Sequence, residues 1–260
     1  MKLIDLNCDM GEVPEAIADG TQEALMPSLT SVNIACGGHA GDEQTMKTTI
    51  EQALRWKLAL GAHPGYPDRA NFGRLELNLP PEAISDFVSE QVRTLVELAT
   101  VCGGGLVHVK PHGALYNQAV HNCDVATAIA KGVVQWSKEV TLVGLAGSPM
   151  LDVFRDAGFA VAAEAFADRR YEPDGTLRSR KFADALIRDP AEAGRQALSI
   201  VERGKVTACN GTDVTVNAQT LCIHGDTPGA PQIAAAVAQT LRQAGVTLSP
   251  LFRPGSRVWS

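Results

Sequence analysis

The sequence predicts an α/β protein whose parallel strands close into a β/α barrel, and three observations carry that prediction. Short apolar runs alternate with longer amphipathic stretches along the chain, about seven times over. Strand, helix, strand, repeated, implies parallel strands joined by right-handed crossovers. The composition agrees: 45% of residues are hydrophobic but only 5% aromatic, which leaves the core to Ala, Val, Leu and Ile, as buried parallel strands under helices require. A chain of 260 residues suits one such barrel. No linker, repeat or low-complexity tract divides it, so residues 1–260 read as one domain.

The elements follow in order. Lys2–Cys8 reads as the first strand. Thr21–Met26 is a short helical stretch before Pro27, and Ser31–Cys36 is the second strand. Asp42–Lys57 is a helix, because Ile50, Leu54 and Leu58 recur at helical spacing behind Asp42 and Glu43. Ala59–His63 is the third strand. Pro80-Pro81-Glu82 opens a long helix through about Cys102, with Ile84, Val88, Val92 and Leu95 on its apolar face. Gly103-Gly104-Gly105 stops it, and Leu106–Lys110 is the fourth strand. Cys123–Ser137 is helix, Thr141–Ala146 the fifth strand, and Met150–Ala157 a short helix ended by Gly158. Phe159–Glu164 is the sixth strand, Leu221–His224 the seventh, and Ala230–Ala244 a helix closed by Gly245. The segment from Asp168 to about Thr215 fits no plain unit. Its charged turn, Glu172-Pro173-Asp174-Gly175, and its cations Arg178, Arg180 and Lys181 read as an elaborated connection at the barrel mouth, the cations as a solvated face.

Composition excludes several functions. A formal net charge of −6 with scattered Lys and Arg gives no basic stripe for nucleic acid. Apolar runs such as Leu142–Ala146 are far shorter than the roughly 20 residues of a membrane span. Met1-Lys2-Leu3-Ile4-Asp5 reaches an acid too soon for a signal peptide. The six cysteines hold no C-x-x-C pair and no zinc-finger spacing, so they read as buried thiols of a cytoplasmic protein. An open doubly wound sheet is the alternative fold. It lacks a G-x-G-x-x-G after the first strand, and no P-loop appears either.

Polar residues cluster where the apolar strands end. Strand one runs through Asp5, Asn7 and Asp9 to Glu12. Strand two ends in Gly37-Gly38-His39, strand three in His63-Pro64-Gly65, and strand four in His108-Val109-Lys110-Pro111-His112. Strand six runs into Asp168-Arg169, and strand seven into His224-Gly225-Asp226. In an α/β barrel these ends meet at one mouth, where active sites are built. Five of the six histidines belong to this set, and only His121 does not. Asp5, Asn7 and Asp9 alternate and so share one strand face. The neighbouring strand is apolar and central, so that face reads as part of the site and not as a solvated edge. His108 lies within strand four, where an interior packing role and a site role are both open.

Histidines and carboxylates exchange protons near neutral pH. We therefore assign proton handling to Asp5, Asp9, His39, His63, His112 and His224. Substrate or phosphate binding falls to Asn7, Lys110, Asp168, Arg169 and Asp226, with Arg169 offering a bidentate fork. A divalent metal on His and Asp ligands stays open. His108-x-x-x-His112 has a ligand-like count, but Pro111 breaks the helix that would align the rings.

Together Asp5–Glu12, Asn33–Asp42, Gly61–Asp68, Lys110–Asn117, Glu164–Tyr171 and His224–Pro228 resemble the LamB/YcsF family over nearly the whole chain. One departure is Asn71, where the family pattern has an apolar or small residue before Phe72-Gly73-Arg74. The resemblance implies an irregular seven-stranded β/α barrel of the glycoside hydrolase/deacetylase type. It also implies ATP-dependent opening of 5-oxoproline to L-glutamate, with Mg2+ accompanying ATP and with partner subunits B and C of a 5-oxoprolinase. Two readings of other classes stand beside it. A metal-dependent carbohydrate deacetylase would act without ATP, and a non-catalytic binding protein would survive loss of the mouth histidines.

Overall fold

The structure, a computed structural model, describes residues 2–251; residue 1 and residues 252–260 of the expected domain lie outside the described part. Strands β1 (Leu3–Met10), β2 (Ser31–Ala35), β3 (Ala59–His63), β4 (Leu106–Val109), β5 (Thr141–Leu145) and β6 (Ala160–Phe166) pair in that order, all parallel. A hairpin, β7 (Lys205–Thr207) and β8 (Asp213–Thr215), precedes β9 (Thr220–Ile223). Strand β9 pairs with both β6 and β1 and closes a seven-stranded parallel barrel. A two-residue strand, β10 (Thr247–Leu248), extends the sheet beside the start of β1.

Helices α1 (Pro14–Ala18), α2 (Thr21–Leu25), α3 (Glu43–Arg55), α4 (Pro81–Val101), α5 (Gly113–His121), α6 (Cys123–Val134), α7 (Pro149–Asp156), α8 (Pro190–Arg203) and α9 (Ala230–Gln243) surround it. Helix α3 starts because Asp42 and Thr45 form a reciprocal capping box. Helix α4 buries Val88, Val92 and Leu95, and each such side chain stabilises the fold by roughly 1.5–3 kcal/mol. None of the described helices is long and apolar enough to cross a membrane.

Three elements differ from expectation. Helix α5 begins directly after His112, because Pro111 lies before its first turn and cannot break it. The segment after Asp168 contains a full helix, α8, with Asp189 accepting from the Glu192 N–H, Pro190 at its first position and Gly204 at its end. Strand β6 runs on to Phe166, which brings Glu164 inside the strand.

The alternation of β1 sorts its residues. Leu6, Cys8 and Met10 are buried in the apolar shell under the helices. Asp5, Asn7 and Asp9 point into the barrel, where they bond to β2, β6 and β9. Gly61 in β3 makes room for this polar interior, since a Cβ there would fall 2.0 Å from His108 Nε2.

Candidate active site

The polar interior forms two levels. In the lower one Asp5 accepts hydroxyls from Thr30 (2.6 Å), Ser31 (2.9 Å) and Thr220 (2.5 Å). Asn7 donates to Glu164 Oε1 and Thr220, and accepts from Asn33 Nδ2 at 2.7 Å. His108 Nε2 lies 2.7 Å from Asn33 Oδ1. Burial pushes the Asp5 carboxyl up to about 6 despite its three hydroxyl donors. Burial likewise pushes His108 down to about 3, so its ring is neutral.

Above this level opens a cavity of about 460 Å³, lined by Asp9, Glu12, His63, Lys110, His112, Arg169, His224 and Asp226 among others. One wall is a cluster around Glu12. His39 Nε2 lies 3.0 Å from Glu12 Oε1, and His112 Nδ1 lies 3.1 Å from it. His63 Nε2 sits 3.3 Å from Asp9 Oδ2 and 3.0 Å from His112 Nδ1. The rings of His39 and His112 stack at 3.6 Å. Gly73 permits this, because its φ is +61° and a Cβ there would meet His39 Cβ at 2.7 Å. Arg69 donates to the carbonyls of Gly37 and Gly41 and so braces the loop that carries His39. Asn71 is exposed and donates to Asp68 Oδ1, which places it on the loop surface, away from the rings.

Charges here are strongly coupled. Burial would raise Asp9 and Glu12, but the histidines, with Lys110 beside Asp9, outweigh it and hold both carboxyls well below the usual range. Burial disfavours the charged form of His63, yet Asp9 outweighs that and raises it. His39 is pushed down to about 4, chiefly by burial.

Lys110 has a set of partners other than the expected anionic ligand. Its Nζ reaches Glu164 Oε1 at 2.9 Å, Asp9 Oδ1 at 3.0 Å and Cys222 Sγ at 3.1 Å. An ammonium has three N–H donors, so all are taken by the protein. Arg169 is different: one guanidinium nitrogen donates to Arg178 O at 2.7 Å, and its buried Nε has no partner among the described residues.

A second wall, adjoining Asp9, carries His224, stacked on Phe166. Its Nδ1 lies 2.9 Å from Asp168 Oδ1, while Asp168 Oδ2 accepts the His224 backbone N–H at 2.9 Å. Two bonds from one carboxylate fix both the ring and its tautomer, leaving Nε2 available to a ligand. At the rim Asp226 accepts from Arg74 (2.6 Å) and Arg180 (3.0 Å).

Of the residues singled out from sequence, Asp9, His63, Lys110, His112, Arg169, His224 and Asp226 line the cavity. His39 stands one contact behind, against Glu12 and His112, and Asp168 stands behind His224. Asp5 and Asn7 lie in the lower level and do not line it, because the strand face they share with Asp9 continues down into the barrel. Three residues move the other way, among them Lys181, which reads from sequence as part of a solvated face and lines the cavity. His121, set apart from the mouth by sequence, lines the cavity from the last turn of α5. Arg180, expected on a solvated face, reaches Asp226 and also lines it. Sequence reasoning gives no role to Glu12 and Glu164. Glu12 stands just past β1 among the strand-end polar residues, which is the signal that could find it, whereas Glu164 lies inside β6 and meets Asn7 and Lys110 only once the barrel closes.

Comparison with known proteins agrees with this architecture. A T48 deacetylase superposes with a TM-score of 0.52 over 96% of this chain and 88% of its own at 14% identity, a likeness of fold alone. A lactam utilization protein from Thermus thermophilus superposes with a TM-score of 0.89 at 41% identity, over 96% of this chain and all of its own. The 5-oxoprolinase A subunit of Chloroflexus aggregans is 50% identical over 248 residues, 95% of this chain and 98% of that protein. The LamB/YcsF family model matches residues 4–255, and with a closed seven-stranded barrel of the glycoside hydrolase/deacetylase type, the chain belongs to the LamB/YcsF family.

Proposed function

We propose that this chain is the A subunit of an ATP-dependent 5-oxoprolinase, which opens 5-oxo-L-proline to L-glutamate together with subunits B and C in the cytoplasm. ATP with Mg2+ serves the assembled complex. The observation that carries the reading is a small cavity with an oriented imidazole on one wall and a guanidinium with spare donors beside it. Identity of 50% to a protein named for this activity supports it.

The chemistry needs both features. A five-membered lactam is a poor electrophile, and phosphorylation of its amide oxygen by ATP makes the ring carbon open to water. The Nε2 of His224 takes the proton of the attacking water, and Asp168 stabilises the imidazolium that forms. As the C–N bond breaks, the ring nitrogen leaves as an amine and takes up a proton, and the acyl phosphate left at the former ring carbon is cleaved by a second water to the glutamate carboxylate and inorganic phosphate, with ADP as the other product. Arg169 binds the substrate carboxylate or the phosphoryl oxygens through its fork. The wall of Asp9, Glu12, His63 and His112 fixes charge beside His224. Lys110 keeps Asp9 and Glu164 in place.

The test is reconstitution of the chain with subunits B and C, following glutamate formation with and without ATP. Glutamate should form only when all three proteins and ATP are present. Turnover by the chain alone, or deacetylation of a carbohydrate without ATP, would overturn the reading.

A further inference from the structure

The tautomers of two histidines can be fixed from their backbone partners. His63 Nδ1 lies 2.7 Å from Lys110 O, and His112 Nε2 lies 2.9 Å from Phe72 O. A carbonyl only accepts, so each of these nitrogens carries the ring hydrogen. In the neutral rings the remaining nitrogens, His63 Nε2 and His112 Nδ1, then present lone pairs to each other at 3.0 Å. Two carboxylate oxygens join them: Glu12 Oε1 at 3.1 Å from His112 Nδ1 and 3.6 Å from His63 Nε2, and Asp9 Oδ2 at 3.3 Å from His63 Nε2. Four lone-pair donors thus crowd one edge of the cavity. A single extra proton lies along one of these lines and leaves the other donors facing lone pairs.

We infer that Asp9, Glu12, His63 and His112 form a binding site for one divalent first-row transition ion. Nitrogen and oxygen ligands at about 2.1 Å from such an ion stand about 3.0–3.4 Å apart in octahedral or tetrahedral arrangement, and the contacts His63–His112, Glu12–His112, Asp9–His63 and Glu12–His63 run from 3.0 to 3.6 Å. Two imidazoles with two carboxylates suit zinc, manganese or iron, whereas magnesium and calcium favour oxygen throughout. All four residues line the cavity, so a further coordination position faces a ligand.

The surroundings are those of a held metal site. Backbone carbonyls fix both rings, and the Lys110 ammonium holds the other oxygen of Asp9. His39 places its Nε2 3.0 Å from Glu12 Oε1, while its Nδ1 has no partner among the described residues. Its hydrogen therefore sits on Nε2 and donates to Glu12. His39 is a positioning residue behind a ligand, as outer partners of metal sites are.

The experiment uses the isolated, chelator-treated chain and Zn2+ as probe, in competition with a chromophoric chelator. Neither ATP nor partners enter, so failure of the 5-oxoprolinase reading would leave the result standing, and the reverse. One ion should bind per chain, His112→Gln should weaken binding by about a hundredfold or more, and His39→Gln by roughly 10–100-fold. His121→Gln, on the same cavity but outside the donor set, should bind as wild type. Thermal melts check folding, and Glu12→Gln replaces His112→Gln if that variant does not fold. Anomalous diffraction at the zinc edge should place the ion between His63 and His112. Absence of stoichiometric binding, affinity unchanged in both ligand variants, or a peak elsewhere would overturn the site.

Discussion

Asp5 and Asp9 lie on the same face of β1, four residues apart, and behave oppositely. Among the described residues the Asp5 carboxyl hydrogen-bonds only to hydroxyl groups, and burial pushes it up to about 6. Asp9 is also buried, but His63 and Lys110 outweigh burial and hold it well below the usual range. The lesson is that depth in the barrel does not set a carboxylate's charge; the nearest cation does. The lower level is a hydrogen-bonded floor whose Asp5 takes up a proton below about pH 6, and the upper level is a wall charged well below that, facing the cavity.

The largest expected effect breaks or keeps that division. In the reconstituted complex Asp9→Asn should lower turnover by roughly 10²–10⁴-fold, the usual scale of acid–base and charge-positioning groups. Asp5→Asn, assayed beside it, should stay within about tenfold of wild type, because Asp5 does not reach the cavity. Equal losses in the two variants would erase the distinction between floor and wall. Near-normal turnover in both Asp9→Asn and His63→Ala would remove proton handling from this wall altogether.

Lys110 joins the two levels through Asp9 and Glu164. Lys110→Met should destabilise the chain by about 3–5 kcal/mol, since it strands two buried carboxylates without a cation. Urea denaturation at neutral pH measures this. A loss below about 1 kcal/mol would mean that Lys110 serves the ligand and not the frame.

Much of this is legible in the sequence, and the rest is hidden for physical reasons. Parallel strands announce themselves as apolar runs, and the polar residues beyond them point to one mouth. Asp5 and Asn7 sit deeper than the sequence suggests, because alternation fixes a face but not a depth. Lys110 looks like a free cation in sequence because its partners Glu164 and Cys222 lie far along the chain and meet it only after closure of the barrel. Helix α8 does carry legible signals, Asp189-Pro190 at its start and Gly204 at its end, but the charged segment before them obscures them. Helix α5 is hidden because Pro111 and Gly113 look like breakers, although a proline ahead of the first turn costs a helix nothing.

The floor predicts a pH signature. Asp5 titrates near 6 when folded, against 3.8 as the ordinary value, so the native state binds a proton that the unfolded chain has released. Its contribution to stability is complete below about pH 3.8 and is lost as pH rises through about 6. A displacement of about two pKa units corresponds to on the order of 2–3 kcal/mol. Acid-labile carboxylates such as Asp9 and Asp168 run the opposite way, so the whole-protein curve mixes both. Subtraction isolates Asp5: the stability of wild type minus that of Asp5→Asn, from chemical denaturation, should fall between pH 4 and 7. A flat difference would show that Asp5 is charged throughout this range and that the floor holds no proton.

The smallest effect concerns the wall's two cations. Lys110 commits its three donors to Glu164, Asp9 and Cys222. Arg169 lines the cavity, commits one guanidinium nitrogen to Arg178 O, and has a buried Nε without a partner among the described residues. Burial, with Arg180 nearby, pushes Arg169 down to about 10, which still leaves it charged at neutral pH and only thinly neutralised. An incoming anion therefore finds Arg169 and not Lys110. Arg169→Lys preserves the charge but replaces a planar fork with a point donor. In steady-state kinetics of the reconstituted complex, KM for 5-oxoproline should rise by about tenfold, roughly 1.4 kcal/mol, with kcat changed much less. A fall in kcat at constant KM would instead place Arg169 on charge that develops only in the transition state. The guanidinium would then belong with the reacting carbon and the phosphoryl oxygens, and the substrate carboxylate would fall to Arg74 and Arg180 at the rim, where Asp226 now holds both.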